Sequence, residues 1–109
     1  MPRDEIQAAY FALLRAREEL EALQRYQEYL RRERERLIAA AEERRQAART
    51  VDRRLRRALR STDDQLDKAV EQRMRVVEDE LRRLPDRIEA ARRYVEESEQ
   101  EHDQLKRSA

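Results

Sequence analysis

A chain of 109 residues is the size of one domain, and this one is 47% charged and 39% hydrophobic, with no glycine and no cysteine. Without cysteine there is neither a disulfide framework nor a thiolate metal site, and with two prolines and no asparagine little is left to build the turns of a compact globule. With 26 basic against 25 acidic residues, the formal net charge of +1 exerts no global pull on nucleic acid or anionic lipid.

What remains is the composition of a long helix or coiled coil, rich in Ala, Glu, Leu and Arg. Regular apolar spacing along the chain argues against disorder. No apolar run approaches the ~20 residues of a membrane-spanning helix, and no signal-peptide core opens the chain. The expectation is a cytoplasmic, all-α protein with no membrane contact.

Read with period seven, the first half carries one seam at Ile6, Leu13, Leu20, Gln27, Arg34, Ala41, Ala48 and Leu55. A companion set three residues on holds Ala9, Ala16, Leu23, Leu30, Leu37, Arg44, Val51 and Ala58. Two such positions per heptad keep one stripe facing a partner helix, which predicts a first helix over about residues 3–60. Glu21–Arg25, Glu28–Arg32 and Asp52–Arg56 support the outer face at i,i+4 spacing. Gln27, Arg34 and Arg44 are polar within the seam. Polar seam residues lower stability and fix register or partner, so these are the register-specifying candidates.

The start of this helix, Ile6 to Leu14, is the most apolar stretch of the chain. Tyr10, Phe11 and Leu14 lie beside the stripe rather than on it, widening the apolar face. Ile6, Tyr10, Phe11 and Leu14 are therefore the candidate partner-binding residues.

Farther along, Arg44, Arg45, Arg49, Arg53, Arg54, Arg56, Arg57 and Arg60 are opposed only by Asp52. Arg49, Arg53, Arg56, Arg57 and Arg60 form a candidate basic surface for phosphates or an acidic partner. The competing expectation is that acids of a facing arm, Asp63, Asp64, Asp67, Glu71, Glu78, Asp79 and Glu80, neutralise it. No aromatic residue interleaves the arginines, which disfavours single-strand recognition.

Thr62-Asp63-Asp64-Gln65 has the pattern of a capping box at a helix start, with two acids in the first turn. The seam also changes register between Ala58 and Leu66. Together these predict a turn at about 60–62, a second helix over about 62–107, and an antiparallel helical hairpin forming one coiled-coil unit over 1–109. The rival is a single unbroken helix with a stutter at the register change; the absence of a glycine to relieve the helix end favours it. The second seam runs Leu66, Val70, Met74, Val77, Leu81, Leu84, Ile88, Ala91, Val95, Ser98, His102 and Leu105. It stays in phase through Pro85, which predicts a kink there rather than a turn. Folding about residue 61 sets Leu105 opposite residue 17 or so at ~1.5 Å per residue. The apolar first sixteen or so residues would then overhang, exposed to another chain; the alternative is that the second helix drifts in stagger and covers them.

Glu99 and His102 have the Glu-x-x-His spacing of di-iron bundles, but no inward carboxylates accompany them, so no metal or other cofactor is expected. Ser61, Ser98 and Ser108 have no histidine base at a credible position and no glycine-rich loop is present, so no enzymatic activity is expected.

The outline resembles small helical-hairpin proteins of the flagellar-export type, a likeness of periodicity alone, which implies a protein that works by binding. The expected function is a coiled-coil adaptor or scaffold, homodimeric, binding another protein through its N-terminal apolar patch and its hairpin tip. The alternative is a nucleic-acid-associated, transcription-related protein using Arg44–Arg60. Acids at a hairpin tip also resemble those of factors that enter the secondary channel of bacterial RNA polymerase, although helix capping, the commoner use of Asp there, explains both residues adequately.

Overall fold

Thr50 and Val51 are both β-branched, and such residues lose side-chain freedom against a preceding helical turn. Thr50 Oγ1 also donates to the Ala47 carbonyl at 2.9 Å, a local bond that competes with helix propagation. The next residue is Asp52, a preferred N-cap, whose carbonyl accepts the Arg56 backbone N–H at 2.9 Å and opens a new helix. Across the break, Arg56 Nη2 donates to the Arg49 carbonyl at 3.1 Å. A guanidinium there satisfies one of the last carbonyls of the first helix and places positive charge at the negative end of its dipole.

The structure, a computed structural model that describes residues 2–109, consists of two helices, α1 (Pro2–Thr50) and α2 (Arg53–Ser108), packed as an all-α antiparallel hairpin. No strand occurs among the described residues. α2 continues through Pro85 unbroken, as the in-phase seam requires.

The chain reversal at Val51–Asp52 corrects the expected turn at 60–62. Thr62 and Gln65 lie inside α2, and Asp63 and Asp64 occupy exposed mid-helix positions rather than a first turn. The capping pattern is real in sequence, but it gives way to a stop ten residues earlier: two β-branched residues followed by an N-cap aspartate. Nor does the reversal need a glycine, because no described residue has a positive φ.

The packing divides into two units. One joins the start of α1, up to Glu28, to α2 from Arg83 onward. Its core is Ala9, Leu13, Ala16, Leu84 and Ile88, with the small polar Ser98 also buried. Arg17 bonds Glu99 at 3.1 Å, and the Tyr10 ring lies 5.6 Å from that of His102. Moving back along α1 from Arg17 to Tyr10 thus moves forward along α2 from Glu99 to His102, which is the antiparallel sense.

The other unit spans Tyr29–Arg82 and centres on the fully buried Leu30 and Val77, flanked by the partly buried Leu37, Ala41, Val70, Met74 and Leu81. Ion pairs cross between its helices, among them Arg73 to Glu33 through two bonds of 2.5 and 2.8 Å, Arg34 to Glu78 at 3.7 Å, and Arg44 to Asp67 at 3.0 Å.

Candidate binding surfaces

The N-terminal residues divide into two kinds. Ile6 and Leu14 are partly buried on α1, beside the buried Ala9 and Leu13. Tyr10 and Phe11 remain 43% and 53% exposed, with their rings 5.9 Å apart. The expected overhang is corrected: Glu5, Ala8, Ala9 and Ala12 line one shallow groove with Glu101 and Leu105 of α2. Moving the reversal ten residues toward the N-terminus lengthens α2, which then reaches the start of α1. What survives of the apolar patch is the exposed Tyr10–Phe11 pair.

Glu99 and His102 are engaged in this same packing, Glu99 with Arg17 and His102 with Tyr10. No cluster of three potential metal ligands occurs among the described residues. No helix among them is long and apolar enough to cross a membrane.

Of the polar seam positions, Gln27 is partly buried, whereas Arg34 and Arg44 reach out of the seam to Glu78 and Asp67. Each ties a chosen residue of α1 to a chosen residue of α2. Glu33, which the heptad reading passed over as a flank position, is more enclosed than either. Its side chain is only 19% exposed and receives both bonds from Arg73. Those bonds hold its carboxyl below the ordinary value, helped by the charges of Arg73 and Arg36 and opposed by burial. The signal for it was a carboxylate beside the seam, which many exposed flank residues share.

At the reversal, Arg49, Arg53, Arg56, Arg57 and Arg60 are all exposed. Asp67 of the facing arm neutralises Arg44, and Glu42, on the same helix, engages Arg45. Among the described residues, none of Arg49, Arg53, Arg54, Arg57 and Arg60 has an acidic group within 4 Å. Of this block a facing acid therefore balances Arg44, and Arg45 is balanced from its own helix.

Heptad reading also missed the apolar face beside these arginines. Leu55, Leu59 and Leu66 are 50%, 40% and 47% exposed. Their spacing, i, i+4 and i+11 with Thr62 at i+7, puts them on one side of α2. Assigned to the seam, Leu55 and Leu66 were expected to be covered. They are not: Leu55 lies beyond the end of α1, whereas Leu66, level with Arg45, is turned to the side of it. Arg44 stands level with Asp67, so seven residues onward to Val51 is level with seven residues back, at Arg60. The first turns of α2 have no length of α1 beside them.

No protein-family model matches the chain, and no curated protein or solved structure matches it.

Proposed function

We propose that this protein is a helical-hairpin adaptor, a cytoplasmic binding protein rather than an enzyme, and that its principal contact surface is the hairpin end over residues 53–66. The observation that carries this reading is the uncovered Leu55–Leu59–Leu66 face beside arginines that have no acidic partner. Apolar residues ringed by charge are the usual make-up of a protein-binding patch, and arginine is enriched at such sites. The exposed Tyr10–Phe11 pair provides a second, smaller contact near the other end of α1. Photo-crosslinking residues installed in turn at Leu59, Phe11 and Gln24 test this. Adducts with protein are expected from Leu59, with weaker ones from Phe11; equal yields from all three, or adducts from Gln24 alone, contradict the assignment.

The free arginines also favour a second reading, binding to nucleic-acid phosphates. Several phosphate contacts would make the affinity for duplex DNA or RNA fall steeply with salt, by about tenfold or more between 50 and 200 mM. An adaptor would show no saturable binding to either. Asp63, Asp64 and Asp67 on the same segment oppose a phosphate backbone, which ranks this reading second.

A further inference from the structure

Counted straight through the reversal, the contact residues of the Tyr29–Arg82 unit keep a single interval. Leu37, Ala48, Leu59, Val70 and Leu81 stand eleven residues apart, and Arg44, Leu55, Leu66 and Val77 repeat that interval beside them. A third series, from Ala41 through Asp52 and Asp63 to Met74, completes the stripe. Eleven residues make three turns at about 3.67 residues each, close to the ~3.6 of a straight helix. On an unbroken helix all three series would therefore lie on one side. The stripe joins residues that the hairpin covers, such as Leu37, Val70 and Val77, to Leu55, Leu59 and Leu66, which it leaves exposed.

The break that interrupts this stripe is slight. It is two residues long, contains no glycine or proline, and holds no residue at positive φ. Only Val51 and Asp52 must turn helical to close it. The carbonyls of Ala47, Arg49 and Thr50 would then accept from the N–H groups of Val51, Arg53 and Arg54. In the hairpin the first two of those carbonyls take the Thr50 hydroxyl and the Arg56 guanidinium instead.

We infer that the chain has a second folded form, an antiparallel dimer of unbroken helices in which each α1 packs on the α2 of the other copy. Straightening pulls a chain's own arms apart, and the surface that fits α1 is α2 of a second copy. Pairs such as Arg73–Glu33 and Arg44–Asp67 are then remade between chains. Held at the level of Arg44 and Asp67, Ala41 faces Val70 and Leu55 faces Arg56, so the two-fold axis falls between Leu55 and Arg56. Leu55 and Leu59 gain a helix beside them, and Asp52 falls between the levels of Arg56 and Arg60 of the second copy. Very short links between elements are where such exchange arises.

Charge holds the chain in the hairpin. At the axis Arg54 stands level with Arg57 of the second copy, and Arg53, Arg56 and Arg60 crowd the same place. Low salt and low concentration therefore favour the closed monomer, and salt favours exchange. The dimer covers Leu59 and so excludes the adaptor contact proposed above. Mass and distance alone detect it, whether or not that contact exists.

The full chain is refolded from urea at high concentration in about 1 M salt, where charges are screened beyond ~3 Å. A dimer is expected beside the monomer in size-exclusion chromatography with light scattering. A small fraction of the chains carries spin labels on cysteines at Arg36 and Arg75. The monomer should give about 20 Å between them. The dimer should give about 60 Å within one chain, the rise of an unbroken helix at ~1.5 Å per residue. Val51→Ala with Asp52→Ala removes a β-branched residue and the cap, and should raise the ratio of dimer to monomer by about tenfold or more. Arg53→Pro suits the first position of α2 but deletes the N–H that the Arg49 carbonyl needs in an unbroken helix. It should abolish the long-distance dimer and leave the monomer's circular dichroism unchanged. Should it lose helix, Leu59→Ser replaces it, at a position exposed in the hairpin, and is expected to weaken the dimer by about tenfold or more. A failure of both the wild type and the Val51→Ala, Asp52→Ala chain to dimerise overturns the proposal. So does a dimer whose labels stay near 20 Å, or one that Arg53→Pro leaves intact, since either is built from closed hairpins.

Discussion

Replacing Leu84 by alanine removes a side chain that is wholly out of water in the structure. Burying a leucine side chain is worth about 1.5–3 kcal/mol, and the cavity left behind adds to that loss where the surroundings cannot collapse. Two helices leave little second layer to move inward, so Leu84→Ala is expected to cost about 2–5 kcal/mol. Leu30→Ala, also at a fully buried position, should fall in the same range. The control is Arg34→Ala, which breaks the 3.7 Å pair with Glu78 between two half-exposed side chains. Solvent screens such a pair, and its loss should cost under about 1 kcal/mol. Urea unfolding followed by far-UV circular dichroism measures all three, at one fixed protein concentration because any dimer adds to apparent stability. Comparable losses from Leu84→Ala and Arg34→Ala would refute the seam as the source of stability.

Asp52→Ala should cost about 0.5–2 kcal/mol by removing an N-cap, whereas Thr62→Ala, inside α2 and exposed, should change stability by less than about 0.5 kcal/mol; the same urea titration reads both, and the reverse order would return the turn to 60–62. Glu33 has a folded pKa below its ordinary 4.5, so its contribution is complete above that value and is lost as pH falls through the lower folded one. Stability measured from pH 6 down to 3 should therefore drop more in the wild type than in Glu33→Gln, and parallel curves would show that the Arg73 bonds contribute nothing. Phe11→Ser should leave thermal stability within about 0.5 kcal/mol, since the ring is largely exposed, while removing the crosslinks formed near it.

Most of the hairpin was legible in the residues themselves. From Ala9 to Arg44, and again from Val70 to Leu105, the heptad positions are buried wholly or in part, with Arg34 alone left exposed. Seven-residue spacing is legible because it records the helix repeat directly. Outside the seam Ala12, Leu14, Glu33, Glu80 and Glu99 are also partly covered, which widens the contact beyond two positions per heptad. The chain reversal was the misread element. Thr62-Asp63-Asp64-Gln65 satisfies the capping pattern, but the same residues are tolerated inside a helix when both aspartates face water. Thr50-Val51-Asp52 is the weaker sequence pattern, yet it combines a poor helix former, a side-chain bond to the Ala47 carbonyl and a cap supplied from Arg56, and the last two exist only in three dimensions.

The candidate surfaces followed from that placement. Arg49, Arg53, Arg56, Arg57 and Arg60 were visible as a charge block, but whether facing acids would neutralise them depended on where the chain turned. With the reversal at 51–52, Asp67 meets Arg44 and the remaining arginines lie beyond the acids of the opposite arm. Leu55 was hidden for the same reason, because a leucine at seam spacing looks covered until the partner helix is known to end.

The reversal itself is tested most directly by a distance within one chain. Spin labels on cysteines introduced at Arg36 and Arg75, both exposed and both in the Tyr29–Arg82 unit, report it once labelled protein is diluted with unlabelled chain. With the chain reversed at Val51–Asp52 the labels sit on adjoining stretches of α1 and α2, and a separation of about 20 Å is expected, the 8–10 Å between packed helix axes plus the label arms. A distance near 60 Å, the rise of one unbroken helix between these positions at about 1.5 Å per residue, would contradict the hairpin and with it the surfaces at its end.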